Sequence, residues 1–214
     1  MNASYPPAPW QLYGTAFQTV QLIDLERSQT FIPPTFEVVT ILPGKTLGGI
    51  YVSIYRGNST LAYSEAIVVA GLVRYGNQFG AWISHIYVDN PESVAGGRNI
   101  WGLPKELAEF EWSEDAVKVR QGNSNLCLVR HGQRGFPLSF FGRWKINGKV
   151  FSVLDKDILQ FQGRFEMFPK WIRGTVTIPI ESPFSRLGLD RPWLVLQLHD
   201  LRLNAEDPTV MGRL

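Results

Sequence analysis

The chain has 214 residues, 44 % hydrophobic and 19 % charged, with a formal net charge of +2. That is the make-up of one globular domain large enough to bury a sizeable core. The charge is too small to draw the chain to nucleic acid or to an acidic membrane surface, and the single cysteine excludes an internal disulfide framework.

Met1 to Pro9 is proline-rich and reads as an extended arm ahead of a single domain spanning the rest of the chain. These residues lack the basic and apolar regions of a secretory signal. The longest apolar run, Ala66 to Val73, is too short to span a bilayer. A cytoplasmic protein without a membrane span is therefore expected.

From Trp10 onward the pattern is mostly that of strands. Ala16 to Leu22 alternates and predicts the first strand. Asp24 can cap a short helix, Leu25 to Phe31, which must stop before Pro33-Pro34. Phe36 to Leu42 predicts a strand and Pro43-Gly44 a turn. Thr46 to Arg56 follows, with Gly48-Gly49 marking a bend or a close backbone approach. Leu61 to Val73 and Gln78 to Val88 complete this run of strands.

Asn90-Pro91-Glu92 is a helix start: a cap, a proline at the first helical position and an acid at the positive end. The predicted helix is short, about Pro91 to Arg98, because Gly96-Gly97 weakens it. Lys105 to Trp112 alternates again. Further strands are predicted at Ala116 to Arg120, Asn125 to His131, Phe136 to Phe141, Lys149 to Leu154, Ile158 to Met167, Ile172 to Ile180 and Trp193 to Leu203. So many strands with so few helical patterns predict a mostly antiparallel α+β domain. Closing such a sheet into a barrel removes its edges and leaves a dry interior for a ligand.

Three residues stand out against this background. Lys105 follows a Gly-Leu-Pro turn and has apolar neighbours in Trp101, Leu103 and Leu107. An ammonium held among apolar groups loses proton affinity, and a neutral lysine can condense with a carbonyl group. The competing reading is a surface lysine after a turn. Glu65 interrupts the apolar run Ala62 to Ala70, so it is either a polar group facing a cavity or half of an ion pair with Arg98 or Arg74. Arg98 could bind a substrate carboxylate in a two-pronged contact, or tie its helix to the strands.

Other patterns point to no chemistry. Cys127 sits among Leu126, Leu128 and Val129 and reads as a buried, inert thiol. His85, His131 and His199 lack metal-ligand spacing, and the glycines at 96, 97 and 102 make no phosphate loop. Neither a metal nor a cofactor is expected.

Taken together, Tyr87-Val88-Asp89-Asn90 and the segment Gly97-Arg98-Asn99-Ile100-Trp101-Gly102-Leu103-Pro104-Lys105 resemble the acetoacetate decarboxylase family. That family has a Tyr-x-Asp-Asn strand end, a Gly-Arg-Glu segment and a Pro-Lys-Lys turn. Phe31-Ile32-Pro33-Pro34 and Tyr63-Ser64-Glu65 resemble its Val-Pro-x-Pro and Tyr-Thr-Glu. Within the superfamily the chain most resembles cyanobacterial and plant members, including the neoxanthin-deficient proteins. The shared segments there are Pro6-Pro7 with Trp10, Thr46-Leu47-Gly48-Gly49, Ala70-Gly71-Leu72-Val73 and Gly102-Leu103-Pro104.

The resemblance implies an antiparallel β-barrel with a few short helices. It also implies that Lys105 forms a Schiff base with a keto acid or related carbonyl substrate, with Glu65 beside it and with Arg98, Trp101 and Leu103 as substrate contacts. The chemistry would be decarboxylation, or an aldol or dehydration step through the same imine. The alternative is a non-catalytic barrel holding an apolar ligand such as an isoprenoid or carotenoid. The family likeness further implies a homo-oligomer.

Two departures from the family pattern bear on the substrate. Its second lysine is Glu106 here, which on a strand would face away from Lys105. Its first-strand arginine falls at Gln21 or Leu22, and its next acidic segment falls on Val52-Ser53-Ile54. Fewer charges suit a larger, more apolar substrate than acetoacetate.

Overall fold

A computed structural model describes residues 5–214; Met1 to Ser4 of the expected arm lie outside the described residues. The elements, in chain order, are β1 (Trp10–Asp24), α1 (Leu25–Gln29), β2 (Glu37–Val38), β3 (Lys45–Tyr55), β4 (Tyr63–Tyr75), β5 (Gln78–Val88) and α2 (Pro91–Trp101). They continue with β6 (Lys105–Leu107), β7 (Glu109–Trp112), β8 (Ala116–Gln121), β9 (Ser124–Pro137), β10 (Trp144–Leu154), β11 (Asp157–Thr177), β12 (Leu194–Ala205) and β13 (Thr209–Arg213).

Seven strands close into a barrel in the order β10-β5-β4-β3-β1-β12-β11, and β11 pairs back onto β10. All neighbours in this ring are antiparallel except β5 and β10. That parallel seam holds only two residue pairs, Val150 with Ala81 and Phe151 with Trp82. Higher along β5, β6 takes the place beside it, with Lys105 opposite Ile86.

Two apolar cores result, one on each face of the barrel wall. The inner core gathers Trp10, Leu12, Tyr51, Tyr63, Ile83, Trp101, Phe161 and Met167. The outer core lies between β3–β4–β5 and the sheet extension β9–β8–β7, where Val52, Ala66 and Val68 meet Val117, Val119, Leu126 and Cys127. Because β4 is covered on both faces, its sequence is nearly all apolar rather than alternating.

Several sequence expectations are corrected. The strand expected over Phe36 to Leu42 pairs with β4 at Glu37 and Val38, and its last bond to β4 runs from the Val39 N–H to the Leu72 carbonyl. After that Ile41 and Leu42 turn back onto Lys45 around Pro43-Gly44. Asp24 does not cap α1 through its side chain, which instead pairs with Lys45 and Arg27. The strands expected at Ile158 to Met167 and Ile172 to Ile180 are one strand, β11. A register shift between Glu166 and Phe168, next to Pro169, accommodates the missing N–H. Likewise, β9 runs unbroken to Pro137, and β13 had no predicted counterpart. Gly48-Gly49 does mark a close approach: a Cβ on Gly49 would stand 2.0 Å from the Thr19 carbonyl oxygen.

Among the described residues no helix is long and apolar enough to cross a membrane.

Candidate active site

Helix α2 runs past its predicted end to Trp101. Asn90 caps it, its side-chain oxygen accepting from the backbone N–H groups of Glu92 and Ser93 at 2.8 and 3.1 Å. Gly96 and Gly97 do not break it, because packing decides here. A Cβ on Gly96 would lie 2.5 Å from Trp10, and one on Gly97 would lie 2.4 Å from Lys105 Cδ. The two glycines let the indole and the lysine stem lie directly on the helix. Gly102, in left-handed conformation at φ 61°, ends it.

The chain then turns sharply into β6. Lys105 N–H donates to the Leu103 carbonyl at 2.8 Å, and the Lys105 carbonyl accepts from Arg98 Nε at 2.7 Å. The lysine backbone is thus held on both sides. Strand alternation sends Lys105 inward and Glu106 outward, where Glu106 accepts from Gln121 at 2.8 Å.

Glu65 arrives from β4. It stands opposite Val88 of β5 and Ser53 of β3. Asp89 anchors this register by accepting from the Ser64 N–H at 2.7 Å. Asp89 and Asn90 of the Tyr-x-Asp-Asn motif therefore serve two elements: one pins the strand that carries Glu65, the other starts the helix that carries Ser93.

Lys105 and Glu65 meet inside the barrel. Lys105 Nζ is 2.8 Å from Glu65 Oε1, and both residues are 3 % exposed. Nζ also donates to Ser93 Oγ at 3.0 Å and reaches Tyr63 Oη at 3.5 Å. It lies 5.0 Å from the Tyr63 ring centroid and 5.6 Å from that of Trp10, a cation–π distance in both cases. Glu65 Oε2 accepts from Tyr55 Oη at 3.3 Å, and Tyr55 in turn meets Tyr51 at 3.0 Å. Burial pushes the hydroxyls of Tyr51, Tyr55 and Tyr63 well above the usual phenol range. They therefore stay protonated and remain available as donors.

This cluster forms the polar head of a cavity of about 330 Å³. Most of the remaining lining is apolar, drawn from Leu12, Ile67, Ile83, Phe161, Phe165 and Leu198 among others. Trp101 and Leu103 line it, the former held by its Nε1 donating to the Glu206 carbonyl at 2.7 Å. Arg98 does not line it. Its side chain sits at the exposed end of α2 and is spent on the Lys105 carbonyl, so the expected substrate contact is replaced by a structural one. Arg74, the other partner considered for Glu65, pairs with Glu37.

Neither Gln21 nor Leu22 lines the cavity. Gln21 points to the outer side and donates to the Gly188 carbonyl at 2.6 Å. The polar side chain that β1 sends into the lining is Gln18. Gln18, Ser93, Trp10, Tyr51 and Tyr55 all escaped the sequence reading. Ser93 could have been found, since it lies on the helix face three and four residues before Gly96 and Gly97; the others carry no local signal.

The acetoacetate decarboxylase family model matches residues 1–140. The neoxanthin-deficient 1 protein of Solanum lycopersicum is 32 % identical over 134 residues, which is 62 % of this chain and 45 % of that protein. Acetoacetate decarboxylase 1 of Bradyrhizobium diazoefficiens is 30 % identical over 110 residues, covering 50 % of this chain and 41 % of that one. The chain therefore spans less than half the length of these curated relatives. In structure, the acetoacetate decarboxylase of Legionella pneumophila superposes with a TM-score of 0.74 at 19 % identity, covering all of this chain and 90 % of that one.

Proposed function

The chain belongs to the acetoacetate decarboxylase family, and on that premise we propose that Lys105 condenses with the carbonyl group of a small molecule in the barrel while Glu65 moves the protons. The observation that carries this reading is the buried 2.8 Å contact between Lys105 Nζ and Glu65 Oε1 at the head of an apolar cavity.

The proton count closes within the pair. One proton passes from Nζ to Glu65 and frees the nitrogen lone pair. Nζ attacks the carbonyl carbon, the C=O π pair moves to oxygen, and an N–H proton follows it to give the carbinolamine. Glu65 then protonates the hydroxyl, the C–O bond breaks, and water leaves. The product is a protonated imine beside a regenerated carboxylate. Tyr55 keeps Glu65 in place through its hydrogen bond, and Ser93 does the same for Nζ. The imine can then accept the electron pair of a neighbouring C–C or C–H bond, which covers decarboxylation, aldol and dehydration chemistry.

Borohydride reduction in the presence of small ketones and aldehydes should trap an adduct on the Lys105 peptide, lost in Lys105→Arg and slowed in Glu65→Gln. A broad carbonyl screen that yields no adduct sinks the proposal.

The apolar lining favours a second reading, a non-catalytic carrier of an isoprenoid or carotenoid. The tomato relative's name points to neoxanthin. On this reading pigment or lipid co-purifies with the protein, and its binding survives Lys105→Ala. Either reading carries the family expectation of a homo-oligomer, which sedimentation velocity tests.

A further inference from the structure

Taking the Schiff-base reading as given, we infer that the substrate is uncharged around its carbonyl and carries an apolar chain, which runs from Lys105 down the barrel and past Gly148 in β10. Two independent features of the cavity support this.

The first is charge. Among the described lining residues the charged side chains are Glu65, Lys105 and Lys149. Glu65 and Lys105 neutralise one another. Lys149 is exposed and donates to Gln78 Oε1 at 2.8 Å. A carboxylate next to the carbonyl would therefore enter an apolar space, face Glu65 and find no second buried cation. A buried charge without a partner is strongly disfavoured. Gln18, the polar group that β1 supplies, is itself spent on the Thr19 carbonyl at 2.6 Å.

The second is shape. Every second residue of β10 from Trp144 to Val150 lines the cavity, and in this series position 148 is glycine. Gly148 stands opposite Gly163 of β11, which also lines the cavity. A Cβ on Gly163 would crowd Phe165 at 2.9 Å, whereas one on Gly148 would meet nothing nearer than Phe165 Cε2 at 3.8 Å. At Gly148 the wall is bare backbone with room in front of it, while the Phe165 ring and Leu203 cover Gly163. The pair also lies far along the barrel from the amine. Lys105 is level with Ile86 near the end of β5, while Gly148 precedes Val150, which is level with Ala81 near its start. Next along β10, Ile146 lines the cavity and is 47 % exposed, so this end opens to solvent. A chain leaving the imine thus finds apolar walls and then an exit.

The purified protein is titrated with acetone, 2-nonanone and 2-oxononanoate. Tryptophan fluorescence reads binding, because Trp10 and Trp101 line the site, and borohydride trapping reads imine formation. The expected result is that 2-nonanone binds about tenfold or more tightly than either other probe, over acetone through burial of its extra methylenes and over 2-oxononanoate, which has the same heptyl chain, because that probe's carboxylate finds no buried cation. Gly148→Leu should weaken 2-nonanone about tenfold and lower acetone trapping by a smaller factor. If that variant does not fold, Ile146→Trp narrows the same end from an already half-exposed position.

Equal or tighter binding of 2-oxononanoate overturns the inference, as does no binding of 2-nonanone at its solubility limit. Unchanged 2-nonanone affinity in the narrowed variant overturns the path past Gly148. The expected binding order without an adduct from any probe overturns the Schiff-base reading and leaves the ligand class standing. Adducts formed from 2-oxononanoate in preference to 2-nonanone do the reverse.

Discussion

At the scale of single residues, the Lys105–Glu65 pair combines a cost with a use. Each charge is stripped of water, and the pair is tolerable because Ser93, Tyr55 and Tyr63 occupy the remaining donor and acceptor directions. Removing one partner leaves the other buried and alone. Lys105→Met should therefore destabilise the protein by about 3–5 kcal/mol, while Lys105→Met with Glu65→Leu should recover most of that loss. Urea unfolding checks both; a single substitution costing well under 1 kcal/mol would mean that water reaches Glu65. Cys127 shows the opposite outcome of burial. Desolvation pushes its thiol up to about 12, and it packs as a small apolar residue of the outer core.

At the scale of elements, α2 and the turn after it act as the mount for the amine. The helix is short, interrupted by two glycines and half exposed, yet it persists because Trp10 and the lysine stem fill the groove those glycines leave. Gly97→Ala tests this directly. Alanine suits a helix interior better than glycine by roughly 0.5–1 kcal/mol. Its methyl group, however, would collide with Lys105 Cδ and push Nζ off Glu65 and Ser93. The expected result is a loss of stability smaller than that of Lys105→Met, because the displaced charge stays inside the barrel, with at least a tenfold loss of borohydride adduct. Asn99→Ala, on the exposed face of the same helix, serves as control. Equal adduct yields in both variants would show that the glycine does not position the amine.

At the scale of the whole molecule, the barrel wall separates two environments, and the histidines report on the outer one. His131 stacks on Phe17 with ring centroids 3.9 Å apart, and His85 sits among Phe31, Tyr87 and Phe184. Desolvation lowers both, and it also lowers His199, with Lys170 adding to the effect there. A depressed imidazole is neutral in the folded protein, so the unfolded chain takes up protons first as pH falls through about 6.5. Their stabilising contribution is complete above that pH and is lost as pH drops through the folded values. The urea midpoint should accordingly fall between pH 7.5 and pH 5.5, and His85→Gln with His131→Gln should flatten the slope. A midpoint that rises over that range would contradict the neutral, buried assignment.

What the sequence determined by itself is what local periodicity and capping can encode. The inner-facing strands, the Asn90-Pro91 helix start, the close approach at Gly48-Gly49, the outward turn of Glu106 and the inert Cys127 all depend on residues within a few positions of one another. Tertiary structure alone decided the rest. Glu65 had two arginines as candidate partners, and only the pairing of β6 with β5 brought a residue 40 positions away into contact instead. Arg98 had the chemistry of a carboxylate clamp, but the helix end placed it against a backbone carbonyl. Unbroken alternation along β1 puts Gln18 and Gln21 on opposite faces, but only the pairing of β1 with β3 and β12 decided that the face carrying Gln18 meets the cavity. Side-chain alternation is a property of one strand, whereas the cavity belongs to eight strands and a helix whose relative register no single stretch of sequence contains.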